Sequence, residues 1–339
     1  MQTVKHPTKS VDICSVAIRR HTGLSSTAQT VAGVALVTIG FGATLATFLG
    51  FLGETWWAFD VLANFRLQFA IVLFGVAALY GLVMSRGAAF IFLVVGLVNV
   101  ALIVPLYFGS PAEATGGESI SLVSFNVEAS GVARERVMRW IDGTNADVVF
   151  ILESSAEWEQ SSTSAAADYA IQSELPEGRK FGITVLTKND VDTELLRLGS
   201  GRDPVMRVEM SLEDRPLVIY AFHARPATSE SGAEMRNSLL EQVAELVDDE
   251  ADPVIVIGDL NATPWSSAFR NLKSDAALIN SLDGFGLQPS WPGDLPFGLT
   301  IPIDHMLHTS ELTTVDRSVG PSLGSDHRPL LVTVGRAAS

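Results

Sequence analysis

Hydrophobic positions are spread along this chain in two different ways. Over residues 28–51, 67–84 and 88–108 they form uncharged, nearly unbroken runs. Each is close to the roughly 20 residues that a helix, rising 1.5 Å per residue, needs to cross a hydrocarbon core of about 30 Å. From residue 119 onward the apolar stretches shorten, become β-branched and are set between polar residues. SISLVSFNV (119–127), DVVFILE (147–153), FGITVLT (181–187), VMRVEMSL (205–212), PLVIYAFH (216–223), PVIVIGD (253–259), IPIDHML (301–307) and PLLVTV (329–334) predict strands. Helical periodicity predicts one helix over 132–141, closed by Gly143. It predicts another over 233–247, where Leu239, Leu240, Val243, Leu246 and Val247 share a face. The stretch 204–223, folding back at Glu213-Asp214-Arg215, predicts a hairpin, and the Ser/Ala-rich patch at 161–168 a surface loop. Hairpins together with helical crossovers make the second region a mixed α/β domain built on sheets.

Three uncharged runs in succession argue for transmembrane helices rather than buried core helices. A cleaved signal peptide would carry one shorter apolar stretch followed by soluble sequence. The pair Arg19-Arg20 is followed by HTGLSS, which gives little support to a twin-arginine export signal. Lys5, Lys9, Arg19 and Arg20 precede the first run and Arg86 sits in the second loop, against Arg66 alone in the first loop. By the positive-inside rule the N-terminus faces the cytoplasm, and everything after residue 108 lies outside the plasma membrane. No acid or histidine interrupts a run, and Arg66 lies at an edge where it can snorkel, so the spans read as an anchor. The expected organisation is a cytoplasmic segment over 1–27, a three-helix membrane region over 28–108, a Pro, Gly and polar linker over 109–118, and a folded domain over 119–337. A ten-residue linker reaches at most about 35 Å, which confines that domain to the bilayer surface.

Charge narrows the partners. The whole chain carries −15, but beyond residue 110 there are 17 basic and 35 acidic residues, a net −18. Such a domain repels polyanions and weakens any expectation of nucleic-acid binding, although divalent cations in a site invert the field locally. Cys14 is the only cysteine, so no intrachain disulfide can form.

Polar residues able to bind a metal or a phosphate recur where strands run out: Asn126, Glu153, His223, Asp259 with Asn261, Asp304, and Asp326-His327. Singly, each has an ordinary use in a turn, a helix cap or a buried hydrogen bond. As an ordered set, SFNVE, ADVVFILE, FGITVLT, FHARP, GDLNATP, IDHML and GSDHRPLLV resemble the endonuclease/exonuclease/phosphatase superfamily, the DNase I-like group, over residues 119 to about 335. The resemblance implies a four-layer α/β sandwich with a site at one rim, here preceded by three transmembrane helices. It implies a Mg²⁺- or Mn²⁺-dependent hydrolase in which Glu153, Asn126 and Asp326 serve the metal. Asp304 would orient His327 toward the scissile phosphate, and His223 would act as a second donor. Asp259 would position or deprotonate the attacking water, with Asn261 holding a phosphate oxygen. No GxSxG or P-loop offers a rival nucleophile or phosphate cradle. Because strand neighbours point to opposite faces, Asp304 excludes His305 from the site, leaving His305 and His308 as structural or surface residues. Arg225 is expected to be exposed, with reach to a substrate phosphate as the alternative, and Trp265 and Trp291 to pack or line a groove.

Three functions follow from this reading. Topology favours a phosphoesterase acting on a lipid-linked or envelope phosphate, and membrane-bound relatives associated with teicoplanin-type glycopeptide resistance share the arrangement of spans before an outward domain. An extracytoplasmic nuclease is the alternative that the superfamily supplies. A non-catalytic, membrane-tethered binding protein is the third, disfavoured because every matched polar position is intact.

Overall fold

The computed structural model describes residues 26–84, 86–109, 113–128, 133–165, 168–174, 181–189, 191–198 and 203–338. Expectations for Lys5, Lys9, Cys14, Arg19, Arg20 and the N-terminal segment lie outside the described residues. The chain divides into two compact units. The first runs to Leu45 and over Phe69–Val98, and the second comprises Ala46–Gln68 and the chain from Asn99 onward.

Helices α1 (Ser26–Leu49), α2 (Trp57–Ala63), α3 (Arg66–Val83) and α4 (Arg86–Ile103) precede the first strand. Thr30–Leu52 and Arg86–Tyr107 are each long and apolar enough to cross a membrane, whereas Trp57–Ala63 and Arg66–Leu82 pass only as a pair, bent by 68°. Within the first unit Ala43, Leu73, Val76, Phe92 and Val95 form the packed seam. Glycines let it close: a Cβ on Gly40 would stand 2.6 Å from the Phe92 ring, and one on Gly96 2.7 Å from Phe74. Val31, Phe41, Leu82 and Phe90 face outward and exposed. So large a set of exposed apolar residues suits lipid rather than water.

The second unit carries an α/β sandwich. One six-stranded sheet has the order β11-β12-β1-β2-β4-β3 and the other β5-β6-β7-β8-β10-β9. Their strands are β1 (Ala114–Asn126), β2 (Val148–Leu152), β3 (Ala170–Glu174), β4 (Ile183–Thr187), β11 (Leu312–Val319) and β12 (Leu330–Ala337) in the first. The second holds β5 (Asp192–Leu198), β6 (Asp203–Leu212), β7 (Arg215–His223), β8 (Val254–Asp259), β9 (Ile279–Asn280) and β10 (Asp304–His308). Each sheet contains one parallel pair: β1 with β2 across α5 (Arg134–Thr144), and β7 with β8 across α7 (Glu230–Asp249). Side chains of period two separate the layers. Leu122, Phe150, Val185, Ile219 and Ile257 meet between the sheets. Val123, Phe125, Val149 and Ile151 turn out against α5 and α6 (Ala156–Ala165). Tyr220, Phe222 and Val256 turn out against α7 and α8 (Ser267–Asp275). Strands covered on both faces need continuous apolar sequence, which is why they stand out in the chain.

Several local expectations are corrected. Helix α5 passes through Gly143 and stops at Asn145, whose φ of +54° is the left-handed conformation that ends a helix. The 161–168 patch is not a loop at its start: α6 extends to Ala165, with Glu157 and Glu159 favourably placed in its first turn and Trp158 buried. The hairpin stands, turning on Glu213 and Asp214 with φ of +54° and +56°, the two left-handed residues of a type I′ turn. Strand β1 begins at Ala114, opposite Ala337, with a register shift before Ser119. Residues assigned to the linker are thus partly sheet, and just before them the N–H groups of Gly284 and Gly286 both donate to the Leu106 carbonyl at 2.9 Å. Arg66 does not snorkel. It is buried, donates to the Thr47 carbonyl at 2.8 Å and lies 4.5 Å over the Phe51 ring.

Candidate active site

Both sheets end at one rim, and their registers bring the polar strand ends together. In the second sheet His223 is opposite Asp259 and Asp259 opposite Asp304, so three adjacent strands present a row of one imidazole and two carboxylates. Gly258 makes that row possible. Its φ is +146°, and a Cβ there would collide with the Phe222 carbonyl of the neighbouring strand. In the first sheet Asn126 ends β1 beside Leu152, and Glu153 follows at φ +56°. The turn at Glu153 is pinned as Ser154 donates its N–H to Gly182 O at 2.9 Å and shares a 2.6 Å hydroxyl bond with Thr184. Ser325 Oγ donates to the Asn126 carbonyl at 2.8 Å and accepts the His327 N–H at 3.0 Å, which seats the segment before β12 against the end of β1.

The side chains interlock across the seam. Asn126 Nδ2 donates to Glu153 Oε1 at 3.2 Å and to Asp259 Oδ2 at 3.0 Å. His327 Nδ1 lies 2.9 Å from Asp304 Oδ2, while its Nε2 is 3.6 Å from Asp259 Oδ2 and 3.9 Å from Asp326 Oδ1. His223 Nε2 is 3.3 Å from Asp259 Oδ2, and its Nδ1, which makes no hydrogen bond, is 3.7 Å from Glu153 Oε1. Asn261, at φ +47°, gives its N–H to Asp259 Oδ1 at 2.9 Å and turns Nδ2 toward the Ala224 carbonyl at 2.9 Å and His223 Nε2 at 3.2 Å.

Electrostatics give the two buried carboxylates different characters. Burial raises the pKa of Asp259 above the usual carboxylate range, and the neighbouring histidines only partly offset it. Burial acts on Asp304 in the same sense, but the His327 charge and hydrogen bond outweigh it and hold this carboxyl below its ordinary value. For His327, desolvation would lower the pKa, yet Asp304 and Asp259 together push it up to about 10. The two carboxylates thus favour the protonated ring, a proton donor in place.

Among the described residues no Lys or Arg side chain pairs with Glu153, Asp259, Asp304 or Asp326. Four carboxylates near two imidazoles carry more negative charge than the His327 ring offsets, and hard oxygens suit a divalent cation. Two groupings can hold one. Glu153 beside Asn126 lies at the open edge, with the Glu153 side chain 20% exposed. Asp259, Asp304 and His327 have ligand atoms within 4.8 Å of one another but are buried, and the Asp304 to His327 hydrogen bond already occupies two of them. Asp326 is further committed, because its Oδ2 accepts from Trp291 Nε1 at 2.9 Å.

Residues 123–327, more than half of the chain, match the endonuclease/exonuclease/phosphatase family in sequence. The chain belongs to this family. Membership brings divalent-metal-dependent phosphoester hydrolysis as the reaction class. Solved structures agree on the fold. D. rerio TDP2 complexed with a single-strand DNA product is 17% identical over 64% of this chain and 99% of its own, with a TM-score of 0.55. The endonuclease/exonuclease/phosphatase from Bacteroides vulgatus is 14% identical over 65% and 99%, at 0.56. That from Beutenbergia cavernae is 16% identical over 65% and 72%, at 0.52. No curated protein matches the chain in sequence.

Against this endonuclease/exonuclease/phosphatase framework, all eight residues expected from the sequence stand at the rim. His305 and His308 are buried and structural: His305 Nε2 donates to the Ala262 carbonyl at 2.9 Å, and burial holds its pKa down to about 4. Arg225 is not a free surface residue, since Nε donates to the buried Asp203 at 2.9 Å and the guanidinium lies 4.6 Å over Phe181, whose ring in turn contacts His223. Trp265 packs, donating to the Leu102 carbonyl at 3.0 Å. Sequence reasoning passed over Ser290, whose hydroxyl accepts the Asp304 N–H at 3.2 Å, and Arg317, fully buried, which reaches the Asp304 carbonyl at 3.4 Å. Neither ends a strand or carries a motif, so only the fold brings them to Asp304.

Proposed function

We propose that the protein is a multi-pass membrane hydrolase whose active site faces outward and cleaves a lipid-linked or envelope phosphoester. The observation that carries this reading is that segment 46–68, between two apolar helices, belongs to the same compact unit as the sandwich. Segment and sandwich then share one side of the membrane, and in this reading α3 crosses without α2, at 18 residues and about 27 Å, and returns through α4 of the same length. With α1 the reading has three spans, and Arg86 at the turn supports a cytoplasmic side for it under the positive-inside rule. An acidic sandwich on the outer face suits a phosphate embedded in a lipid better than a free polyanion. The resemblance to membrane-bound members associated with teicoplanin-type glycopeptide resistance points the same way.

In this reading Glu153 and Asn126, with Asp326 contributing as the resemblance implies, would hold Mg²⁺ or Mn²⁺. The ion, when bound, neutralises charge on the phosphate and on its leaving oxygen. Asp304 fixes the His327 ring, which carries its proton on Nε2 toward the phosphate and stabilises the charge that builds there. His223 and Asn261 Nδ2 offer further donors on the other flank. Asp259 aligns the attacking water and accepts its proton, and its raised pKa makes it a better base than a solvated carboxylate. Direct attack by water needs no covalent enzyme intermediate.

A nuclease is the second reading, favoured by the shared fold with a TDP2 structure that contains single-strand DNA product. The test is a Mg²⁺ panel with purified full-length protein beside His327→Ala. It contains undecaprenyl phosphates and phosphatidic acid in vesicles, plasmid, RNA and sugar phosphates. Release of phosphate from a lipid by wild type alone supports the proposal. Plasmid nicking with every lipid phosphate intact overturns it in favour of the nuclease.

A further inference from the structure

The loop that carries Asn261 is gripped by a residue from outside the sandwich. Asp60, in the middle of α2, is only 2% exposed. Its Oδ2 accepts from Arg236 Nη2 at 2.7 Å, and its Oδ1 accepts from the hydroxyl of Ser267 at 2.8 Å and from the Ser267 N–H. Arg236 is fully buried and reaches on with Nη1 to the Asn261 carbonyl at 3.2 Å. Asn64, which caps the same short helix, accepts through Oδ1 from both the N–H and the hydroxyl of Thr263, at 3.0 and 2.8 Å. The segment 261–263 is thus held at both ends by α2, once through Arg236 and once directly. On its other side His305 Nε2 donates to the Ala262 carbonyl at 2.9 Å, and Asn261 is tied to Asp259 and to the Ala224 carbonyl.

These contacts bear on chemistry because Asn261 is in the left-handed region, where its peptide orientation sets the aim of Nδ2. A buried Asp, Arg and two Ser donors form a charge pair with its remaining valences met, the condition under which such a pair fixes geometry. Side chains in this row must keep their aim to a fraction of an ångström for the phosphate to be held productively.

We propose that Asp60 and Asn64 are positioning residues for the hydrolytic site, acting through Arg236 and Thr263 to set the Asn261 loop, so that the segment between the first two apolar helices is a working part of the active site. The inference rests on the reading of Asn261 as a phosphate-contacting residue. It also makes a property of the membrane-proximal segment a property of turnover: whatever displaces α2 displaces Asn261.

The experiment uses full-length protein in detergent micelles with Mg²⁺ and bis(p-nitrophenyl) phosphate as probe. Asp60→Asn and Asn64→Ala are compared with Asn261→Ala and with the two double variants, and hydrogen–deuterium exchange is followed in parallel. Each single clamp variant should speed exchange over residues 259–264 while residues 254–258 of β8 stay protected. It should also lower kcat by roughly 10- to 100-fold with KM nearly constant. In the Asn261→Ala background the same change should cost almost nothing further, because the clamp acts through that residue. Unchanged exchange over 259–264, or a kcat loss that multiplies fully with Asn261→Ala, overturns the proposal. So does loss of protection spread evenly through β8 and α7 in both variants. A wild type inert toward the probe counts against the reaction assigned to the site, and exchange over 259–264 then decides the clamp by itself.

Discussion

The two sheets contribute to the rim in unlike ways. The second sheet supplies His223, Asp259 and Asp304, which are 6%, 1% and 1% exposed, with Asp259 accepting the Asn261 N–H and lying 3.3 Å from His223 Nε2. The first supplies Glu153 and Asp326, whose side chains are 20% and 42% exposed. His327 belongs to the first sheet's edge but is tied by its Nδ1 to Asp304 of the second. In the proposed mechanism one half stores charge and protons in a desolvated row, and the other keeps carboxylates where a hydrated cation can arrive. The lesson is a division of labour: proton handling needs burial to move pKa values, whereas cation capture needs access.

The largest effect should come from breaking the buried half. His327→Ala and Asp259→Asn are each expected to lower kcat by about 10²- to 10⁴-fold, measured at saturating Mg²⁺. Recovery of either by excess metal would erase the distinction between the halves. Next, Glu153→Gln in the open half should raise the Mg²⁺ concentration for half-maximal turnover by about 10- to 100-fold, with much of kcat regained at high Mg²⁺. A loss that metal cannot repair would make Glu153 part of the proton-handling group.

A pH test without metal sharpens the comparison. The His327 pKa rises from 6.5 to about 10 on folding, so the proton is held more tightly in the folded state. Its contribution to stability is complete below about 6.5 and is lost as pH rises through about 10. In EDTA the unfolding temperature should therefore fall across that window, and Asp304→Asn should flatten the fall. The smallest effect is expected of Trp291→Phe, which removes one N–H donor to the exposed Asp326 and should cost about 1 kcal/mol or less in kcat/KM.

Much of this was legible in the sequence because strands buried on both faces must be apolar throughout and polar residues at their ends then stand out. Glu153, Asp259 and Asp304 were found that way. Strands β3, β5, β9 and β11 were not, since they are the sheet edges, and DTELLRL in β5 alternates too weakly between exposed and half-buried positions. Helix α6 escaped because its Ser/Ala sequence has little periodicity. Asp60 and Asn64 had no local signal at all. Each sits between membrane-like runs, and its meaning comes from a partner far along the chain.

That separation has a consequence for how the protein is made. Asp60 precedes Arg236 by 176 residues and Ser267 by 207. At a synthesis rate of about 5–20 residues per second, the first partner follows some 10 to 35 seconds later. During that interval α2 carries an unmet carboxylate, and the grip on the Asn261 loop can close only after β8 and the start of α8 have emerged. In this reading maturation of the active site is a late event, completed by a segment made long before its partners.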